Sequence, residues 1–190
     1  MMKTERAEKK EVNAVILDVL PKGYPDDPRP IYKREPVVQA MGVEQFKLLE
    51  LIPKSLNVEI GELIYIGSGE REKIERVKRR IGYHELTNGA LSELPFVIEK
   101  IVKQRESEYV EFYNKSISIT PKLHMLHLLP GIGKKLMWEI IEAREKKPFE
   151  SFADISARIK SLPHPEKMIL NRILEELQDQ TVKYHLFTSR

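Results

Sequence analysis

The chain has 190 residues, no cysteine and a formal net charge of +3. This length allows two small domains with separate cores or one larger domain, and the lack of cysteine excludes disulfides and thiolate metal sites and suits a cytoplasmic protein. No run of about 18 apolar residues occurs, so no membrane span is predicted, and residues 1–11 lack the apolar core of a secretory signal.

The first half of the chain predicts a small β-barrel. Residues 1–11 mix Lys, Arg and Glu and are expected to form a flexible tail. Beyond them, strand-like runs rich in Val, Ile and Leu occur at 12–20, 30–40, 46–52 and 61–67, with turn residues between them. Several short strands of this kind favour a barrel or a sandwich, so residues 12–91 are assigned to a β-barrel domain. The proline-rich residues 21–30 are predicted as a long loop.

Helical spacing begins after these strands. Ile74, Val77 and Ile81 lie three and four residues apart, which predicts a helix within residues 70–81. A longer pattern with the same period starts near Ser92 and predicts a connecting helix over residues 92–117. Residues 118–190 carry the whole net positive charge and are predicted to form an all-α domain.

The most specific motif lies in this all-α domain. Residues 128–135 read Leu-Leu-Pro-Gly-Ile-Gly-Lys-Lys, an apolar helical segment that ends in a glycine turn and is followed at once by a second helix. Gly131 and Gly133 permit backbone angles that are closed to other residues, and the N–H groups of a helix N-terminus attract anions. Lys134 and Lys135 add positive charge at the same place. A helix–hairpin–helix is therefore predicted to bind a nucleic-acid phosphate through Gly131, Ile132, Gly133, Lys134 and Lys135.

A degenerate copy of this motif follows at residues 162–167. Leu162-Pro163 repeats Leu129-Pro130, but the next three residues are His164, Pro165 and Glu166. The copy has lost both glycines and gained a negative charge, so we expect it to bind phosphate poorly. Its predicted role is structural, because two pairs of helices bury a core that one pair cannot build alone.

Two family resemblances rest on these residues. The segments 140–144 and 148–155 are similar to helix–hairpin–helix domains of bacterial DNA-uptake competence proteins, except that Met137 stands where that family usually has Ala. Nearly the whole chain resembles an archaeal family of unknown function, the domain-of-unknown-function 655 type, through the turn glycines, Tyr32 and residues 18–21, 23–25, 27–30, 35–39 and 46–50. The resemblance implies an α+β, two-domain, RNA-binding protein, with an oligonucleotide-binding-like barrel before a tandem helix–hairpin–helix. It implies no catalytic residues.

Other constellations are weaker. His124 and His127 lie three residues apart in the expected first hairpin helix and lack a third ligand, so neither a metal nor another cofactor is predicted. Asp154 follows the lysines at a spacing loosely like that of DNA glycosylases, but it lies in a helix-capping pattern, and Asp26-Asp27 lacks partner carboxylates. The sequence therefore predicts no enzyme. Trp138 is expected in the core, with base stacking as the alternative.

The leading hypothesis is a cytoplasmic, non-catalytic protein that binds the phosphate backbone of RNA or DNA without sequence specificity. A secondary contact for single strands is predicted near the long loop, where charge and an aromatic ring alternate in Arg29, Tyr32, Lys33 and Arg34. The alternative is a protein–protein adaptor of the translation or transcription machinery, and a small enzyme acting on nucleic acid is the third hypothesis. No membrane partner is predicted.

Overall fold

The computed structural model describes residues 9–190. These residues form an α+β fold, as predicted, with a five-stranded antiparallel sheet that curls into a half-barrel and five α-helices. The strands of the sheet are β1 (Asn13–Leu20), β2 (Val37–Gly42), β3 (Leu48–Pro53), β4 (Leu63–Tyr65) and β5 (Ile74–Arg80). The helices are α1 (Asn88–Gln104), α2 (Glu106–Lys115), α3 (Lys134–Lys146), α4 (Phe152–Arg158) and α5 (Pro165–Gln178), and a small hairpin of β6 (Ser118–Thr120) and β7 (Leu123–His124) precedes α3.

The described chain divides into two compact units. One consists of the described residues up to Val97 together with Leu177–Arg190, and the other is Ile98–Glu176. No helix in residues 9–190 combines the length and the apolar character that a membrane crossing requires. Residues 1–8 of the predicted tail lie outside the described part of the chain, and Glu11 at the end of that tail is buried.

The curled sheet has the strand order β4-β1-β2-β3-β5. Its concave core is filled by Val, Ile, Leu and Ala side chains from all five strands, such as Ile16, Val38, Leu51, Ile64 and Ile74. A register shift between Ile16 and Asp18 bends β1, and two more shifts bend the pairing of β3 with β5. Such bulges increase the local twist, which curls a sheet of this width towards a barrel.

Strands β2 and β3 are buried along their whole length, so both of their faces are covered. The face away from the core carries Gln39 opposite Glu50. Gln39 donates from Nε2 to the hydroxyl of Tyr24 at 3.1 Å and to the carbonyl oxygen of Glu85 at 2.9 Å. Tyr24 donates to Glu50 at 3.0 Å. The covered polar face therefore ties the proline-rich loop to the sheet.

The helix predicted within residues 70–81 is wrong, because this segment contains strand β5. Val77 pairs with Leu51, and Ile74 pairs with Pro53. Ile74 and Val77 are three positions apart in β5, whereas their partners in β3 are only two positions apart. The bulge between Ile52 and Pro53 absorbs the extra residue, so Ile74 and Val77 both face the core. A bulged strand thereby reproduces the three-residue spacing of a helix.

Two further expectations need correction. The single helix expected over residues 92–117 is two helices, since the chain leaves helical geometry at Arg105 (φ −102°, ψ 31°) between α1 and α2. Residues 118–190 are not all-α, because β6 and β7 pair through Ser118–His124 and Thr120–Leu123. The turn at Pro121 brings these two short strands together.

Candidate nucleic-acid interface

The segment in front of the glycine turn is a single 3₁₀ turn, Met125–Leu128, and not the α-helix that the sequence predicted. His124 precedes it, and its ring Nδ1 accepts a hydrogen bond from the N–H of Leu126 at 3.0 Å. This bond needs an unprotonated Nδ1. Burial lowers the pKa of His124, and the charge of Arg144 and the neighbouring His127 lower it further. His124 is thus a structural cap, which explains its place without a metal.

The glycine turn, defined here as Leu129–Gly133, depends on Gly131. Gly131 has φ +90°, a left-handed conformation that other residues adopt only with strain. A Cβ at this position would also lie 3.2 Å from the sulfur of Met168 on α5. Ile132 closes the turn by donating its N–H to the carbonyl oxygen of Leu129 at 3.1 Å, and its side chain is buried. Ile132 therefore anchors the turn and does not contact a ligand through its side chain.

Gly133 has a different role from the one that its sequence pattern predicted. Its backbone angles, φ −81° and ψ −179°, are open to any residue. Gly133 is the N-cap of α3, and it brings no side chain to accept hydrogen bonds from the first turn of the helix. A Cβ at this position would meet no atom within 4 Å. Glycine here leaves the end of the helix uncovered.

The N-terminus of α3 presents unused donors and positive charge together. The first backbone hydrogen bond of the helix is donated by Met137 to Gly133 at 2.9 Å. Within the described residues, no acceptor is found for the N–H groups of Gly133, Lys134, Lys135 and Leu136. The side chains of Lys134 and Lys135 are exposed and form no ion pair with any described residue. Unpaired N–H groups beside the positive end of the helix dipole bind anions such as phosphate.

The second turn, Ile159–His164, has the opposite character. Helix α5 begins with Pro165, which has no N–H group, and Glu166 occupies the first turn of the helix. Glu166 also lies 3.5 Å from the ring of His164. The carbonyl oxygen of Pro165 accepts a hydrogen bond from the buried hydroxyl of Tyr113 at 2.7 Å. This turn is therefore fixed by protein contacts, and Glu166 adds a negative charge beside Lys167, whereas Gly133 brings no charge beside Lys134 and Lys135.

The four residues predicted as a secondary contact are brought together in the loop before β2, but two of them serve the loop itself. Arg29 pairs with Asp27 at 2.7 Å, and this side chain and the backbone N–H of Arg29 lower the pKa of Asp27 to about 2. Arg34 donates to the carbonyl oxygens of Arg29 and Tyr24. Tyr32 is 82% exposed, with the ammonium of Lys33 beside its ring. Tyr32 and Lys33 are therefore exposed, and Arg29 is half exposed while it is paired with Asp27.

Asp154 is held within the protein. Its carboxylate accepts from the N–H of Glu150 at 3.0 Å and pairs with Arg158 at 3.3 Å, while its own N–H donates to the hydroxyl of Ser151. This is the capping role that the sequence pattern indicated.

The expectation that Trp138 lies in the core is wrong, since half of this side chain is exposed. The buried stripe of α3 includes Met137 and Ile140, and Trp138 lies beside it on the face of Lys134, four residues earlier. The four-residue spacing from Lys134 was the signal in the sequence for this exposed position.

The chain was compared with known proteins. Residues 10–189 match the family model described as "Protein of unknown function (DUF655)", and the chain belongs to this family. An uncharacterized protein of Methanocaldococcus jannaschii is 48% identical over 187 residues, which are 97% of this chain and 83% of that protein. A crystal structure of a DUF655 family protein from Archaeoglobus fulgidus has a TM-score of 0.89 and 49% identity, and the match covers 94% of this chain and all of the other.

Proposed function

We propose that this member of the DUF655 family is a non-catalytic nucleic-acid-binding protein that holds the phosphate backbone of RNA or DNA at the glycine turn. The observation that carries the proposal is the open N-terminus of α3, where four unpaired N–H groups lie beside the exposed Lys134 and Lys135. A phosphate oxygen placed there accepts from the backbone, and the lysines neutralise its charge.

The supports of this end of the helix favour the same function. Gly131 holds a left-handed backbone conformation, and Gly133 leaves the donors uncovered. The turn lines an open groove of about 530 Å³ together with His127, Arg172 and Glu175. Backbone N–H groups and lysines do not read base edges, so the proposed binding is independent of sequence.

The proposal includes a tandem helix–hairpin–helix built from the glycine turn with α3 and from α4, the second turn and α5. The copy with Pro165 and Glu166 acts as its structural half. We further propose that the curled sheet is an oligonucleotide-binding-like barrel of a separate domain. The face of β2 and β3 that binds ligands in such barrels is covered here, so the proposed contact of the barrel is the loop before β2, where Tyr32 and Lys33 are exposed.

One observation favours the adaptor of the translation or transcription machinery as a second candidate. The edge strand β4 exposes the large apolar side chains of Leu63 (62%) and Tyr65 (39%), and Ile60 before it is also exposed. Exposed apolar side chains on an edge strand are a common contact for protein partners. In this case a protein partner would be recovered at moderate salt, without nucleic-acid binding.

A charge-reversal pair tests the leading proposal. Lys134→Glu/Lys135→Glu is compared with Lys146→Glu/Lys147→Glu, which changes the net charge equally at the other end of α3 and leaves the glycine turn intact. With labelled single- and double-stranded RNA and DNA at two salt concentrations, the first variant is expected to lose binding to every sequence, and the second to keep most of it. For the unaltered protein, log affinity falls roughly linearly with log salt, with a slope of a few units. Equal affinity of both variants at low salt overturns the proposal.

A further inference from the structure

We propose that the groove beside the glycine turn takes an unstacked nucleobase against Trp138, so that the protein prefers single-stranded nucleic acid to a duplex. This inference rests on the proposed phosphate site and adds a second point of contact to it. The groove, called the tryptophan groove here, has a volume of about 690 Å³ and is lined among others by Ile117, Lys122, His127, Lys134, Trp138 and Arg144.

The exposure of two apolar side chains marks the groove as a contact surface. Trp138 is 50% exposed and Ile117 is 66% exposed, although both lie in ordered elements or directly next to one. A half-exposed indole ring offers a flat apolar face, and nucleobases stack on such faces regardless of their identity. The contact therefore adds affinity without adding sequence specificity.

The charge of the groove selects an anionic occupant. Lys122, Lys134 and Arg144 line it, and none of the described lining residues is acidic. Arg144 is fixed there by donating to the carbonyl oxygens of Tyr113 at 2.9 Å and Ser116 at 2.8 Å. A groove of apolar faces between cations fits a base together with its phosphate.

The groove continues directly from the phosphate site. Lys134 belongs to both, and His127 lines both the tryptophan groove and the groove of the glycine turn. Lys134 and Trp138 lie one helical turn apart on the same face of α3, which is a separation of about 6 Å along the helix axis. A strand whose phosphate lies at the open N-terminus of α3 thus has a ring within reach of its next base, provided that the base is not already paired.

The chain contains one tryptophan, so emission excited selectively at tryptophan reports on Trp138 and excludes the seven tyrosines. The full chain is titrated with an oligouridine of about 12 nucleotides, with an abasic phosphodiester of equal length and with a duplex of equal length. We expect the oligouridine to quench the emission and to bind about 5- to 100-fold more tightly than the abasic strand, which has the same phosphates and no bases. The duplex carries twice the phosphates but no unpaired base, so it should leave the emission unquenched and should bind more weakly than the oligouridine.

Three variants complete the test. Trp138→Ala should abolish the difference between the oligouridine and the abasic strand, while Trp138→Phe should keep most of it and guards against a folding defect. Phe96→Ala removes an exposed aromatic side chain that does not line the groove and should change neither affinity. Equal binding of both single strands without quenching overturns the inference and leaves the phosphate site standing. Binding of none of the three probes at low salt overturns both, and the groove is then a surface for a protein segment.

Discussion

Arg172 on α5 donates from Nη1 to the carbonyl oxygen of Leu128, 3.2 Å away, at the entrance to the glycine turn. The same guanidinium pairs through Nε with the fully buried Glu176 at 3.0 Å. Met168, one helical turn before Arg172, lies against Gly131. Helix α5, which follows the second turn, therefore contacts the glycine turn and supports it.

Variants at Arg172 distinguish the support of the glycine turn from a general effect on the free energy of unfolding. Arg172→Met leaves Glu176 buried without its partner, and we expect a loss of about 3–5 kcal/mol in the free energy of unfolding. The double variant Arg172→Met/Glu176→Leu removes both charges and should recover most of that loss. Neither variant restores the hydrogen bond to Leu128, so both should bind oligonucleotides more weakly than the wild type. Wild-type affinity in the stable double variant would show that the bond does not hold the turn in its binding conformation.

Gly133 offers a substitution with opposite effects on stability and binding. Gly133→Asp places a carboxylate at the N-cap of α3, where it accepts from the open N–H groups and stabilises the helix by a few tenths of a kcal/mol. The same carboxylate occupies the proposed phosphate position, so nucleic-acid affinity should fall at least tenfold. Gly133→Ala has no acceptor and no clash within 4 Å, and its affinity should stay within a few-fold of the wild type. Thermal unfolding measures the stability of the two variants, and oligonucleotide titration measures their affinity. Undiminished binding by the Asp variant would contradict the proposed phosphate site.

The sequence predicted the parts of the structure that depend on local chemistry. The apolar strand-like runs and turns of the first half predicted a barrel-like sheet, and the helical spacing of the second half predicted helices, which together make the α+β class. The Pro-Gly-x-Gly pattern located the turn correctly at residues 129–133, since only glycine relieves the strain of φ +90° at position 131. At Gly133 the pattern was misleading, because the backbone angles there are open to any residue. Glycine at this position leaves the N-terminus of α3 uncovered.

The parts that the sequence missed depend on contacts between distant segments. Strand β5 has helical spacing because its bulges are defined by β3, more than twenty residues earlier in the chain. The burial of both faces of β2 depends on Tyr24 and Glu85, which no periodicity within β2 reveals. Trp138 is a large apolar residue of a type that is usually buried. Its exposure depends on where the neighbouring elements leave a groove.

Substitutions in the hydrophobic core beneath the second turn should lower stability, whereas substitutions of the charged residues at this turn should have little effect on binding. Ile169 and Ile173 on α5 are fully buried, so Ile169→Ala and Ile173→Ala should each lower the free energy of unfolding by about 2–5 kcal/mol. Replacing Glu166 and Lys167 with Gln should leave nucleic-acid affinity nearly unchanged. Chemical denaturation measures the first pair and oligonucleotide titration the second. A large loss of affinity in the Glu166/Lys167 variant, with stability intact, would mean that the second turn binds nucleic acid.

The buried carboxyl group of Glu11, paired with the partly buried Glu44, should make the stability of the sheet depend on pH. Glu11 accepts hydrogen bonds from the N–H groups of Glu44 at 3.0 Å and Gln45 at 2.9 Å. Burial, together with the side-chain hydrogen bond to Glu44, raises the pKa of Glu11 to about 7. The pKa of Glu44 is lowered, because hydrogen bonds from Glu11 and from the N–H groups of Val12 and Asn13 outweigh the effect of burial. Between pH 4.5 and about 7 the folded protein therefore holds a proton on Glu11 that the unfolded chain releases.

The stability that this proton supplies is fully present below pH 4.5, and it is lost as the pH rises through about 7. Backbone N–H groups donate to both oxygens of Glu11, and Glu11→Gln keeps one of these oxygens and carries no charge at any pH. We expect its melting temperature, relative to that of the wild type, to rise by a few °C between pH 5 and pH 8. Glu70→Gln, at an exposed carboxylate, is the matched control and should follow the wild type throughout. Parallel melting curves of Glu11→Gln and the wild type from pH 5 to pH 8 would show that the two carboxyl groups share no proton.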